Sequence, residues 1–202
     1  MPGIRLGILS DEKLDFQFVV SLMRLADARG ITKALFANGD VGRLDQGRNV
    51  VAKAFLETDA EWLLWIDTDM VFEPQHLDQL LAHKQPIVSG LYYRASDPPT
   101  PCMMRYKDKQ ARVVKDWPKK KLIAVDTAGF GFMLTHRDVL EKIASKRFSP
   151  THPWFDNAQA GPGGQSLADD SSFCVRAALC GYQVLVDTSV RIGHIKQAVL
   201  YG

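Results

Sequence analysis

The chain has 202 residues, 46% of them hydrophobic and 24% charged, with 25 Lys and Arg against 23 Asp and Glu for a net charge of +2. That is enough chain for one domain with a substantial core, and too little net charge to require a nucleic-acid or membrane partner. No apolar stretch reaches the ~18 residues of a spanning helix and no signal-peptide pattern opens the chain, so no transmembrane helix is expected.

Ile4–Ser10 predicts a first strand, followed by an amphipathic helix over 14–28 that Gly30 stops. Residues 31–37 predict a second strand, closed by the turn signal Asn38-Gly39-Asp40. A second helix is expected over 45–57, then an apolar strand ending at Asp67 and Asp69. Pro74 suits the first turn of a third helix to about 83, and 86–90 reads as a short strand. Alternation of strand and helix argues for parallel βαβ units in an open α/β sheet. Beyond Asp97-Pro-Pro-Thr-Pro101 the pattern changes to short strands at 102–106, 111–115 and 122–126, a buried strand at 130–135 and a helix over 136–145. A long Pro- and Gly-rich loop, 148–167, precedes a helix over 168–180 and a strand over 183–186. The expected fold is thus a mostly parallel twisted sheet flanked by helices, with a small antiparallel element in the C-terminal half. The three cysteines, Cys102, Cys174 and Cys180, form no CxxC pair and suit reduced thiols, so a cytoplasmic setting is expected.

Three places carry candidate chemistry. Trp62-Leu-Leu-Trp-Ile-Asp-Thr-Asp69 ends an apolar strand in two carboxylates. In open α/β sheets ligands bind beyond the carboxyl ends of strands, and hard divalent cations take oxygen ligands shared with substrate phosphates. The bland reading is a pair of turn or cap aspartates. Asp169 and Asp170 open a helix, where the macrodipole favours acids; the functional reading is a general base beyond a loop able to close as a lid. His194, with Lys196 two residues on, adds an imidazole able to ligate a metal and a lysine able to meet a phosphate as a point charge. Among aromatics that suit an acceptor site (Tyr92, Tyr93, Trp154, Phe155), Trp154 is the favoured one, because it lies in the loop before the acid pair. Lys119-Lys-Lys121 reads first as a solvated turn and leaves nucleic acid as an open acceptor class.

In that order Asp67/Asp69, Asp169/Asp170 and His194 resemble the motifs of the GT-A glycosyltransferases, which use nucleotide-sugar donors and an Asp-x-Asp motif. The resemblance extends through Gly47-Arg-Asn-Val-Val-Ala-Lys-Ala-Phe55, Val125-Asp-Thr-Ala-Gly-Phe-Gly-Phe-Met-Leu134, Gly181-Tyr-Gln-Val-Leu-Val-Asp187 and Val190-Arg-Ile-Gly-His194. It implies one domain over 1–202, with 1–95 as the nucleotide-sugar half and 96–202 as the acceptor and catalytic half. It implies Mn²⁺ or Mg²⁺ on Asp69 and His194, with Asp67 on the metal or the ribose. Arg48, Lys196 and Ser10 fall on the nucleotide side, a UDP-sugar being a fitting donor, and Trp154 on the acceptor side. Asp170 matches the second acid of the family's Glu-Asp motif, the usual base of inverting members, and Asp169 replaces the Glu. The reaction implied is sugar transfer to a hydroxyl on a glycan, lipid, protein or modified DNA base.

Three other readings remain. A haloacid-dehalogenase-type phosphohydrolase also uses Asp-x-Asp, but its nucleophile follows the first strand, and two βα units precede Asp67 here. A Rossmann dehydrogenase would need GxGxxG after the first strand, which is absent; Gly129-Phe-Gly131 lacks the third glycine. A domain that binds a nucleotide sugar or glycan without turnover is the non-enzymatic alternative.

Overall fold

The computed structural model describes residues 3–10, 14–38, 44–94, 96–157, 159–164 and 166–196. Gly39-Asp40 of the turn signal lies outside them, as do residues 158 and 165 of the long loop. In chain order the elements are β1 (Ile4–Ser10), α1 (Phe16–Arg29), β2 (Ala34–Asn38), α2 (Leu44–Leu56), β3 (Trp62–Asp67), β4 (Met70–Val71), α3 (Pro74–Ala82), β5 (Ile87–Leu91), β6 (Tyr93–Arg94) and β7 (Thr100–Pro101). There follow β8 (Met103–Lys107), β9 (Gln110–Val113), β10 (Leu122–Val125), β11 (Thr127–Ala128), β12 (Phe132–His136), α4 (Arg137–Ser145), α5 (Asp169–Leu179), β13 (Val184–Arg191) and β14 (Gly193–His194).

Local chemistry sets the helix ends. The Asp15 carboxylate accepts from Gln17 N at 2.9 Å to start α1, and Gly30, at φ 60°, ends it in the left-handed region. Pro74 opens α3, where His76 Nδ1 accepts from Glu73 N at 3.2 Å.

The main sheet has seven strands in the order β10-β13-β5-β12-β3-β1-β2. β2, β1, β3, β5 and β13 run one way, while β12 and β10 run against them. Five strands therefore bring their carboxyl ends to one edge, where an α/β sheet binds ligands. Both faces are covered, so β3 is apolar up to Asp67 instead of alternating. Leu63 and Trp65 pack with Val51, Phe55, Leu140 and Phe173 of α2, α4 and α5. Leu64 and Ile66 pack with Phe18, Leu25, Leu77 and Leu80 of α1 and α3.

Three small antiparallel sheets, β11-β8-β9, β14-β4 and β6-β7, sit around this layer. Their two-residue strands are too short to leave a periodic signal. β13 is twice as long as predicted, because Asp187 continues it. That carboxylate is 5% exposed and is satisfied by His83 Nε2 at 2.7 Å and by the Ser189 N–H and hydroxyl, so a charged residue interrupts the apolar pattern without ending the strand. No helix among the described residues is long and apolar enough to cross a membrane.

Candidate active site

Asp67 is the last residue of β3, aligned with Leu9 of β1, one residue before Ser10 at the tip of that strand. The chain then turns through Thr68 and Asp69 into β4. β14 pairs with β4, His194 opposite Met70, and Ile195 N donates to Asp69 O at 2.8 Å. Two short strands thus seat residues 125 positions apart side by side. His194 Nε2 lies 2.9 Å from Asp69 Oδ2, and Lys196 Nζ donates to the same oxygen at 2.6 Å.

The tautomer follows from the other ring nitrogen. His194 Nδ1 is 2.6 Å from Tyr93 O, a carbonyl that only accepts, so Nδ1 carries a proton and Nε2 faces Asp69. Burial works against the imidazolium, but the contacts to Asp69 and Tyr93 O outweigh it and raise the His194 pKa. Burial likewise opposes the Asp69 carboxylate, and His194 with Lys196 brings it below its ordinary range. The His194 ring nitrogen and the Lys196 ammonium therefore converge on one carboxylate oxygen, which is where a cation is wanted. An imidazole held through Nδ1–H with Nε2 toward a carboxylate is the arrangement of a metal-ligating histidine, so these residues fit Mn²⁺ or Mg²⁺ with phosphate oxygens completing the shell.

Asp67 does not join that pair. Its Oδ1 accepts from Arg48 Nη2 at 3.3 Å, and Arg48 Nη1 bonds Asp169 Oδ2. Among the described residues no three His, Cys, Asp or Glu side chains stand ready as a metal cluster. The expected Asp67–Asp69–His194 set is thus an Asp69–His194 pair, with Asp67 held by a guanidinium. Arg48, expected on the nucleotide, is 4% exposed and committed to these two carboxylates, its guanidinium carbon 5.0 Å over the Phe130 ring and 5.9 Å over Phe155. Burial opposes its charge, yet Asp67, Asp169 and Asp170 outweigh that and raise its pKa.

The two acids at the head of α5 have different partners. Asp169 meets Arg48. Asp170 accepts from Ser171 N at 2.6 Å, and burial, only partly offset by Arg48, pushes its pKa up to about 6. Asp170 also borders a cavity of about 150 Å³ with Cys102, Met104 and Thr127. A cavity of about 860 Å³, lined by Arg5, Arg29, Trp62, Leu81 and His136, is much larger, but it opens at the amino ends of β1 and β3. That is a strand's length, roughly 20 Å, from the Asp67 tip, so size is a poor guide to the chemistry here.

Trp154, expected on the acceptor side, packs into the core. It is 6% exposed, its indole Nε1 donates to Leu140 O at 2.8 Å, and Asn49 Oδ1 accepts from its backbone N at 3.1 Å. The long loop is anchored here and by Arg176, which bonds Gln159, His152 O and Asp156. These anchors fall in the first part of the loop, up to Gln159, so the lid expected of the whole loop is not what its first half is built for. Sequence reading placed Tyr92 only among the possible acceptor-site aromatics, and it missed Thr127. The Tyr92 ring packs edge-on against His194 at 5.5 Å and its hydroxyl accepts from Gly131 N at 3.1 Å. The available signal was Gly129-Phe-Gly131: a Cβ on Gly129 would fall 1.9 Å from Tyr92 Oη.

No known family model matches the chain, and no curated protein sequence does. Among solved structures it is similar to A197 from STIV, at 18% identity and TM-score 0.62, covering 96% of this chain and 86% of that one. It is also similar to GalNAc-T7 in a crystal structure with UDP, GalNAc and Mn²⁺, at 14% identity and TM-score 0.63, covering 97% of this chain and 44% of that one. At such identities the likeness is one of fold: this chain has a GT-A-like α/β fold, and its main sheet is mixed and seven-stranded.

Proposed function

We propose that this protein transfers a sugar from a nucleoside-diphosphate sugar to a hydroxyl acceptor, with a divalent cation at Asp69 and His194. The observation that carries the reading is the meeting of Asp69, His194 and Lys196 at the carboxyl edge of the sheet, beside the Arg48–Asp67–Asp169 group. A cation bound there supplies Lewis-acid charge to the departing diphosphate. GalNAc-T7, similar in fold, was crystallised with UDP, GalNAc and Mn²⁺, which agrees with this donor chemistry.

The chain's own residues have distinct tasks. Asp69 and His194 hold the metal side of the diphosphate, and Lys196 is free to swing from Asp69 to a phosphate oxygen once a cation replaces it. Arg48 is a positioning residue: it fixes Asp67 toward the ribose side and ties α2 to the head of α5. Asp170 is the base. It takes the acceptor hydroxyl's proton as that oxygen bonds the anomeric carbon and the anomeric carbon–phosphate oxygen bond breaks, the electron pair leaving on the nucleoside diphosphate. A carboxyl near pH 6 is ionised in neutral solution yet more basic than a surface aspartate. Asp169, neutralised by Arg48, is the weaker candidate. The phosphohydrolase reading gains little, because its nucleophile would be Asp67, whose Oδ1 is engaged by Arg48.

Thermal unfolding with UDP or GDP tests this. With Mn²⁺ and ligand near 100 times Kd, stabilisation of about 2.7 kcal/mol is expected, a rise of roughly 5–10 °C for a chain of this size. EDTA or Asp69→Ala should remove it. An equal rise in chelator, or none with any nucleotide tried, would overturn the assignment.

A further inference from the structure

We propose, resting on the transfer reading above, that the acceptor hydroxyl is carried on a nucleic-acid strand held by the β8–β9 hairpin. Charge is segregated in this chain. Residues 94–121 hold nine Lys and Arg against three Asp, a net of +6 in a chain of net +2, so the remainder carries −4. The total conceals a basic surface that a low overall charge does not announce.

The hairpin concentrates this charge in an arrangement that does not serve the fold. Arg105 and Arg112 are direct cross-strand partners and both are exposed. Like charges in that position destabilise a hairpin. Arg105 leans on Ala124 O at 2.8 Å, and among the described residues no carboxylate pairs with either arginine. An external anion relieves the repulsion. Arg105 and Lys107, two residues apart on one strand, stand about 6.8 Å apart, close to the spacing of successive phosphates along an extended nucleic-acid strand.

The same hairpin walls the space in front of the proposed base. β8 pairs with β11, Met104 opposite Thr127, and the cavity of about 150 Å³ lies between them and Asp170. Its walls are apolar at Met103, Met104 and Val113. The Thr127 hydroxyl, on a residue 1% exposed, has no hydrogen-bond partner among the described residues. Apolar side chains with one unsatisfied hydroxyl, and the Arg94 guanidinium among the lining groups, suit the ring and polar edge of a nucleobase. The volume admits one ring and no base pair, so the nucleotide is single-stranded or turned out of its helix. Phosphates on Arg105, Lys107 and Arg112 then fix the strand while the base places its hydroxyl substituent at Asp170.

The test is fluorescence anisotropy of the full chain with a short fluorescein-labelled single-stranded DNA across a KCl series, with heparin as the anionic-glycan alternative. Binding should weaken with salt at a log–log slope of about −2 to −3, as three to four phosphate contacts require. Lys107→Glu with Arg112→Glu should weaken it by about tenfold or more, and the milder Lys107→Gln with Arg112→Gln by less. Arg112→Glu alone should raise Tm, by pairing with Arg105, while weakening binding; a merely structural arginine would lower both. Salt-insensitive binding, affinity unchanged in these variants, or capture of heparin but not of the strand would overturn the proposal. The Mn²⁺-dependent UDP shift is read on the same variants and should persist. Its absence from the unmutated chain would sink the transfer reading separately from the strand contact.

Discussion

Asp169 and Asp170 are adjacent, chemically identical, and electrically different. Arg48 reaches across from α2 to Asp169, leaving Asp170 half-buried with one backbone N–H to accept from. Native Asp170 holds its proton to about 6, whereas the ordinary value is 3.8. The native state therefore binds more protons between those pH values, and stability falls as pH rises through that window. Asp170→Asn keeps the Ser171 N–H bond and removes the half-buried charge, so Tm at pH 7 should rise while turnover drops by about 10²–10⁴-fold and donor binding persists. Wild-type turnover should climb as pH passes about 6. A variant with unchanged turnover would take the base role from Asp170. Arg48→Ala goes the other way: it strands Asp67 and Asp169, and a loss of about 3–5 kcal/mol is expected in denaturant unfolding.

At the scale of elements, the site depends on how closely the segment before β12 passes under Tyr92. Asp67 N donates to Gly131 O at 3.1 Å, and a Cβ on Gly131 would meet Met70 Cε at 2.6 Å. Gly129→Ala should cost about 1–3 kcal/mol by overpacking, and adding Tyr92→Phe should recover part of that in a double-mutant cycle, since the phenolic oxygen is the nearest clash. Additive losses would mean the two do not share the space. The helices and the apolar strands were legible from period, caps and glycine stops. The strand pairs that build the site were not: β4 and β14 have two residues each, and only pairing brings Asp69 to His194. The long loop was legible as a loop, but not its anchoring, because Asn49 and Arg176 lie far away in sequence and read as ordinary helix positions.

Across the whole molecule, the central strands hold the site edge still while the basic hairpin stands off to one side. β3 is flanked by β1 and β12 and covered on both faces, with Phe130 and Phe155 edge-on to Trp65 and Phe173 packed against both. Each such fully buried Phe contributes about 1.5–3 kcal/mol. The residues of β9 are mostly exposed and β9 pairs with β8 alone. Amide exchange should therefore be slowest in β3, β1 and β12, near the global unfolding limit, and distinctly faster in β9. Equal protection in β9 and β3 would mean the hairpin belongs to the cooperative core.

The amino-acid order by itself determined the α/β class, the five principal helices, the strand tip bearing Asp67 and Asp69, and the acids and histidine worth watching, since local periodicity and capping are written in neighbouring residues. Which acid is neutralised, that Trp154 is core, and that Asp69 pairs with His194 while Asp67 pairs with Arg48 were decided only by tertiary structure. Each of those depends on a distance between side chains remote in sequence, and burial, pairing and charge density acquire values only when the chain has closed.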